Sequence, residues 1–374
     1  MVVFGVRPEA IKMAPVVAAL KERPFFRTIL AVTAQHRELL DQVLEHFRLV
    51  PDYDLDIMQP GQTLLDIVGA ALPGLDGVLA KERPDLVLVH GDTSTTLWGA
   101  LAAYYRKIPV GHVEAGLRTG NKYAPFPEEM NRRLVASLAD IHFAPTIWAR
   151  ENLRREGVAE ENIFVTGNTA VDALLWTAVN AVPPADLLPT DGKLLLVDAH
   201  RRENLGEPME EICRAVRELV LAYPDLYVVF SVHPNPGVFE PAHRLLGSVE
   251  RVRLVEPLSY PEWAGLMARA HFILSDSGGV QEEAPSLGVP VLLLREVTER
   301  PEAVAAGTVR MVGTGCGSVL RACRELLDDP AERVRMGRVV NPYGDGKAAQ
   351  RIAQILEYRF GWREGRPADF ASGA

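Results

Sequence analysis

The feature that most restricts how this chain can fold is an alternation repeated along its length. Short, uninterrupted apolar runs are each followed by a longer segment with helical spacing. In the first half the runs fall at residues 2–4, 29–33, 86–89, 110–113, 141–144 and 163–166. In the second half they fall at 194–197, 226–232, 252–255, 272–275, 289–294 and 309–312. The intervening stretches change period: in residues 36–47, Leu39, Leu40, Val43, Leu44 and Phe47 lie on one helical stripe. A strand that is apolar at every position is covered on both faces, which is the pattern of parallel sheets flanked by helices. A chain of 374 residues is too long for one ordinary core. Residues 181–192, AVPPADLLPTDG, hold three prolines and no apolar period, and they form the best linker by composition. Two α/β domains of similar size follow, with a ligand expected in the cleft at the carboxyl ends of the strands. The halves share an architecture and no tandem sequence repeat. Residues 363–374 read as a frayed tail.

Composition removes several function classes. With 48% apolar and 24% charged residues the chain is neither disordered nor collagen-like. A net charge of −9 argues against a general nucleic-acid binder, so clustered cations inside this chain carry more information than they would in a basic one. No apolar run approaches the ~18 residues of a membrane span. The opening MVVFGVRPEA has neither a basic start nor a long apolar stretch, so no secretory signal is expected. The three cysteines, Cys213, Cys316 and Cys323, show no metal-ligand or CxxC spacing; buried thiols in a reduced, cytoplasmic setting are expected. GxxxxGK(S/T) and HExxH are both absent, and no Cys/His cluster occurs, so neither a P-loop nor a zinc site is expected. Gly313-Thr314-Gly315-Cys316-Gly317 lacks the GxGxxG spacing and reads as a glycine-rich turn at a helix start. No cofactor or metal is expected.

The chemistry-bearing residues gather where strands end. After the run 272–275 come Asp276, Ser277, Gly278 and Gly279, then a helical pattern. Two readings stand side by side here. Free N–H groups at a helix start, glycines that admit close approach and a serine hydroxyl suit a diphosphate, with Glu282 or Glu283 one turn on for ribose hydroxyls. Alternatively, Ser277 is an ordinary N-cap and the glycines serve packing. The first strand runs into Gly5, Arg7 and Lys12; two cations at a helix start oppose its dipole and suit an anion, whereas an Arg7–Glu9 surface pair with Lys12 solvated is the structural alternative. Asp92, in VHGDTSTT, follows another strand, although Thr93, Ser94 and Thr95 also suit simple capping. Glu114 ends the strand 110–113 and enters a glycine loop; Glu128 follows Pro127 at a helix start, where a carboxylate also suits the dipole alone. Three carboxylates converging on one edge would suit proton transfer. His200, followed by Arg201 and Arg202 at a strand end, has the composition of a phosphate site. His233 also follows a strand, where a plain turn histidine is the alternative.

In order along the chain stand FGVRPEAIKMAP, TAQHRELLDQV, DIMQPGQ, VLVHGDTSTT, VGHVEAGLRTG, PFPEEMNRR, TGNTAVDALLW, AHRREN, DSGGVQEEAPSLGVPVL, ERPEAVAAGTVRMVG and NPYGDG. Together, from Phe4 to about residue 346, they closely resemble the non-hydrolysing UDP-N-acetylglucosamine 2-epimerases of bacteria. The resemblance implies two Rossmann-like domains in a glycosyltransferase-B-like arrangement with the ligand cleft between them. The expected division is 1–167 for the acid/base residues, 168–347 for UDP binding, 348–362 for a helix crossing back to the first domain, and 363–374 for the tail. It implies reversible conversion of UDP-N-acetylglucosamine to UDP-N-acetylmannosamine, by elimination of UDP to 2-acetamidoglucal and re-addition, without a cofactor. Asp92, Glu114 and Glu128 then resemble the family's proton-transfer carboxylates, and His200 the group that assists UDP departure. Arg7, Ser277, Gly278 and Gly279 would hold the phosphates, Glu283 the ribose, and backbone near Leu258 and Trp263 the uracil, with Arg300 and Lys12 in support. Gln35, His36, Gln62, Arg202 and His233 match a regulatory subsite for a second UDP-N-acetylglucosamine. A homodimer supplying envelope polysaccharide synthesis is also implied, with no nucleic-acid or membrane partner. Val6 and Asp198 stand where the family usually has threonine, and the 313–317 turn also departs from its pattern. An anion at Asp198 is expected to be turned away or paired with an arginine. Rival readings are a hydrolysing relative, a retaining glycosyltransferase of the same fold and a non-catalytic nucleotide-sugar sensor.

Overall fold

The structure is a computed structural model that describes residues 1–34, 37–58, 61–298 and 300–371, with backbone alone for 37–39. It separates into two compact units: residues 1–173 with the C-terminal segment from Tyr343, and residues 174–342.

The first unit is built on β1 (Val2–Phe4), β2 (Leu30–Val32), β3 (Tyr53–Asp54), β4 (Val87–His90), β5 (Val110–Val113), β6 (Ile141–Ala144) and β7 (Ile163–Val165). All pair in parallel, in the order β3-β2-β1-β4-β5-β6-β7. Its helices are α1 (Arg7–Lys21), α2 (Arg37–His46), α3 (Leu64–Glu82), α4 (Ser94–Tyr105), α5 (Glu128–Leu138), α6 (Ile147–Arg155) and the start of α7 (Thr169–Asn180). Val3, Ala31, Val87, Val89 and Val110 pack with Leu75 and Leu79 of α3 and Ala100 and Ala103 of α4 into one dry core. Continuous burial along β1, β4 and β5 is why these strands are apolar at every position.

The second unit contains β8 (Lys193–Asp198), β9 (Leu226–Ser231), β10 (Val252–Val255), β11 (Phe272–Ser275), β12 (Val291–Leu293) and β13 (Val309–Met311). They form a second parallel sheet in the order β10-β9-β8-β11-β12-β13. With it run α8 (Glu207–Ala222), α9 (Pro236–Leu246), α10 (Tyr260–Met267), α11 (Gly278–Glu283), α12 (Pro301–Ala306), α13 (Cys316–Asp328) and α14 (Pro330–Gly337). The Gly313–Gly317 turn is the start of α13, with Gly315 at its N-cap. Cys213 and Cys323 are buried free thiols and Cys316 is half-buried. Burial pushes the Cys213 thiol up to about 12. Strand order reverses once in each sheet, between β1 and β4 and between β8 and β11, and these reversal points are where α/β sheets take ligands.

Two features differ from the sequence reading. β3 is a two-residue, partly exposed edge strand, too short and too polar to show in the hydrophobic pattern. The tail is not frayed between 366 and 370: Phe370 is buried and its N–H donates to the Val165 carbonyl at 2.7 Å, while the Val165 N–H donates to Asp369 at 3.0 Å. Arg366 lies over the Phe164 ring at 4.2 Å. The last helix, α15 (Ala348–Arg359), belongs to the first unit. Its first N–H groups, Ala348 and Ala349, donate to Asp172, and Arg23 pairs with Glu357 at 2.9 Å. Burial raises the Asp172 carboxyl to about 6. Among the described residues no helix is long and apolar enough to cross a membrane, and no group of His, Cys, Asp and Glu is arranged to hold a metal.

Candidate active site

In the first unit Arg7 and Asp92 follow β1 and β4, the two strands at the reversal point, and Glu114 follows the next strand, β5. β1 passes through Gly5 and Val6 into α1, which begins at Arg7. Gly5 is required by close approach: a Cβ there would lie 2.1 Å from Thr33 Oγ1 and 2.3 Å from Thr95 Oγ1, two hydroxyls bonded to each other at 2.8 Å. Glu9 is not the surface group that the structural alternative assumed. Glu9 is buried, accepting the N–H groups of Gly5 and Val6 at 2.7 and 3.0 Å and the hydroxyls of Thr93 and Thr96 at 2.5 and 2.8 Å. It ties the β1 turn to the β4 turn. Thr93 meanwhile caps α4, as the capping reading expected.

Lys12 is not solvated: its ammonium pairs with Glu114. Glu114 also accepts from Asn168 Nδ2 at 2.9 Å and lies 3.8 Å from His90 Nε2. Its backbone is left-handed, φ +61°, a strained state for glutamate that persists only when the surroundings over-determine it. Asp92 follows β4, one strand away; its carboxylate pairs with Arg132 at 2.5 Å and its carbonyl accepts from Asn131 at 2.8 Å. Both partners are on α5, so the helix that begins at Glu128 is fixed to the Asp92 turn. Glu128 is half-buried, whereas Glu129 is buried and accepts the N–H groups of Thr119 and Gly120 at 3.0 and 3.2 Å, holding the loop that follows Glu114. His112 and His142 beneath this edge are kept neutral by burial, which lowers them to about 3 and about 4. Of the proposed regulatory residues, Gln62 donates to the Ile57 carbonyl at 2.7 Å, and Gln35 and His36 lie outside the described residues.

The second unit repeats the arrangement at its own reversal point. β8 ends at Asp198 and β11 at Ser275, and the two are register partners. Asp276 stitches the following loops together: its Oδ2 accepts the N–H groups of His200 and Arg201, both at 2.9 Å, and the Asn204 amide at 2.8 Å. Arg201 Nε returns a bond to the Asp276 carbonyl at 2.9 Å. His200 is thereby fixed beside the loop of Ser277, Gly278 and Gly279. Ser277 stands at the N-cap of α11, but its side chain makes no cap hydrogen bond. The His200 ring stacks on His233 at 5.7 Å between centroids, and Arg202 is exposed on the next turn. Asp198, expected to be turned away or paired with an arginine, pairs instead with His200 Nδ1 at 3.0 Å.

The two glycines differ. A Cβ on Gly279 would find nothing nearer than 3.9 Å; one on Gly278 would lie 2.6 to 3.0 Å from the Arg300 guanidinium. Arg300 donates to the buried Glu282 at 2.7 Å, and Glu283 accepts from Tyr260 at 3.2 Å. Tyr260 opens α10, which also carries Trp263, and Leu258 lies just before it. Gly278→Ala is therefore expected to dislodge Arg300 and leave the Glu282 carboxylate short of its partner, costing about 1–3 kcal/mol in urea unfolding. Gly279→Ala should cost clearly less, and equal costs would refute this account.

Sequence reasoning missed Glu9, Asn168, Arg132 and Asp276 as organisers of the site. Their motifs were visible, but their long-range partners lie 40 to 87 positions away (Arg132–Asp92 and Glu9–Thr96 at the two ends of that range), and spacing along the chain gave no sign of those contacts.

The chain matches the family model described as UDP-N-acetylglucosamine 2-epimerase over residues 18–357. It is 53% identical to the UDP-N-acetylglucosamine 2-epimerase of Bacillus subtilis, over 99% of this chain and 98% of that one. Among solved structures it is similar to a chain assigned as this enzyme from Listeria monocytogenes, with a TM-score of 0.94, 49% identity and coverage of 99% and 98%. The Neisseria meningitidis UDP-GlcNAc 2-epimerase bound to UDP-GlcNAc gives 0.87 and 47%, covering 96% and 99%. The glycosyltransferase SnogD of Streptomyces nogalater, only 18% identical, gives 0.61 over 96% and 98% of the two chains and shares the fold alone.

Proposed function

We propose a reaction route from one premise: this chain belongs to the UDP-N-acetylglucosamine 2-epimerase family, and it is an isomerase. C2 of an acetamido sugar is not next to a carbonyl, so its proton is not acidic enough for direct removal. In the proposed route the C1–O bond to UDP breaks with its electron pair leaving on the diphosphate. A carboxylate takes the C2 proton, and the C1=C2 bond of 2-acetamidoglucal forms. Return delivers a proton to the opposite face of C2, and the diphosphate oxygen re-forms its bond to C1, giving UDP-N-acetylmannosamine. No oxidant or cofactor enters the balance.

Asp92, Glu114 and Glu128 are the acid/base set in this reading, and His200 assists the departing UDP. Arg7, Ser277, Gly278 and Gly279 hold phosphate, Glu283 the ribose, and backbone near Leu258 and Trp263 the uracil. Lys12 and Arg300 act in support, consistent with their pairing to Glu114 and Glu282. The observation that carries the reading is Glu114, a carboxylate in strained backbone at a strand end, gripped by Lys12 and Asn168. Such strain clusters where a group must be presented in one orientation. The reading extends to a second, regulatory UDP-N-acetylglucosamine at Gln35, His36, Gln62, Arg202 and His233. It also extends to a cytoplasmic homodimer that serves envelope polysaccharide synthesis.

Incubation with UDP-N-acetylglucosamine alone in heavy water, followed by NMR, tests the route. The expected product is UDP-N-acetylmannosamine carrying deuterium at C2. Accumulating free N-acetylmannosamine would replace the epimerase with a hydrolase. Unchanged substrate would favour a sensor or an acceptor-requiring transferase, and protium retained at C2 would overturn the elimination step.

A further inference from the structure

β8 ends at Asp198, and His200 follows two residues on, with the fully buried Ala199 between them. The carboxylate and the imidazole meet there: Nδ1 of His200 lies 3.0 Å from Asp198 Oδ1. The backbone leaves the pair little freedom, since the N–H groups of His200 and Arg201 are both held by Asp276 Oδ2. The ring itself stacks on His233 with planes 20° apart. Asp198 is only 18% exposed, so its charge is partly shielded from water.

We infer that Asp198 is a positioning residue for this reaction, holding His200 by an Nδ1–H bond and keeping it cationic, so that Nε2–H is the donor offered to the departing diphosphate. The inference rests on the role proposed above for His200 and goes beyond it by naming what sets that group's charge and tautomer. A carboxylate on one ring nitrogen fixes which nitrogen carries the proton and stabilises the imidazolium. The charged groups facing the ring agree in sign on balance. Asp198 is the largest influence and raises the imidazole above its usual range; Asp276, 3.9 Å from Nδ1, adds to this, while burial and Arg201 oppose it. His233 also faces the ring, stacked on it. A cationic His200 also offsets the anion that Asp198 brings near the phosphate-binding loop. Position 198 therefore tolerates an acid without an arginine partner.

The sign follows. If the imidazolium is the working form, turnover falls on the alkaline side as His200 loses its proton, and removing Asp198 moves that fall to lower pH. The test has two parts. First, the His200 ring is titrated by NMR in the ligand-free enzyme, with His200→Asn assigning the resonance, in wild type, Asp198→Asn and Asp198→Glu. The expectation is a midpoint above the ordinary histidine value in wild type, a fall of about one pH unit in Asp198→Asn, and at least partial recovery in Asp198→Glu. Second, the alkaline limb of kcat is expected to move by the same amount, with KM changing less. A His200 midpoint that ignores Asp198→Asn overturns the pair. A midpoint that moves while the kcat limb stays fixed overturns its use in the reaction. Because the titration needs neither substrate nor turnover, a failure of the epimerase reading shows up separately, as absent product in wild type with the titration shift intact. An unchanged urea midpoint in Asp198→Asn excludes general unfolding as the cause of either shift.

Discussion

Glu114→Gln is expected to lower turnover by about 100- to 10,000-fold, the range associated with losing one general acid or base, while UDP affinity stays close to that of wild type. The amide keeps the shape of the side chain, so the bond from Asn168 survives and the left-handed backbone is still filled. What disappears is the negative charge that pairs with Lys12 and the capacity to take a proton from carbon. Because the uridine contacts and every phosphate contact except Arg7 are assigned to the second unit, and Glu114 is assigned to none of them, binding and turnover should separate. Isothermal titration with UDP, set beside a coupled assay for epimerisation, reads the two independently. Asp92→Asn is expected to behave in the same way, with a further consequence: Arg132 loses its ion pair across to the Asp92 turn, which weakens the hold on the α5 start that carries Glu128, while the Asn131 bond remains. Turnover at the wild-type rate in either variant would remove that residue from the proton chemistry. Loss of turnover together with UDP binding would mean that the carboxylate serves the fold and not the reaction.

The strand pattern was legible because both sheets are parallel and covered on both faces, so nearly every strand announced itself as a continuous apolar run. β3 escaped because a two-residue, half-exposed edge strand carries no such run. The tail escaped for a different reason. Its glycine-, proline- and charge-rich sequence is what disorder uses, yet Phe370 and Asp369 find the backbone of β7, a contact that depends on tertiary placement alone. At the site, residue types at strand ends were readable because strand ends at a reversal of sheet order are where such folds put chemistry. The partners were not. Glu9 read as half of a surface pair and proved to be the buried tie between two turns. Asp276 read as part of a phosphate loop and proved to hold the backbone of His200. Asp198 read as an anion to be turned away or paired with an arginine, and it found a histidine two residues on. In each case the sequence showed a charge, and only the packing showed which opposite group lay within reach.

Gly116→Ala should be the most damaging single methyl in the loop that follows Glu114, with a cost of about 2–5 kcal/mol. Gly116 follows Glu114 by two residues and adopts φ +93°, a conformation that costs an L-residue about 1–2 kcal/mol by itself. The added Cβ would also lie 2.2 Å from the Ala149 carbonyl oxygen and 2.8 Å from its carbon. Those are backbone atoms of α6, packed around a fully buried Ala149, and no rotamer change can move them aside. Overpacking of that kind adds about 1–3 kcal/mol. Against a domain stability of about 5–15 kcal/mol the sum is large, and the remaining folded protein should carry Glu114 displaced from Lys12. Gly120 supplies the control. It lies four residues further along the same loop, has φ +79°, and a Cβ there would meet nothing within 4 Å. Gly120→Ala should therefore show only the conformational cost, about 1–2 kcal/mol, and near-normal turnover. Urea midpoints for the two variants, with turnover measured on the folded fraction, separate strain from collision; equal losses at both positions would mean that contact with α6 does not decide the identity of residue 116.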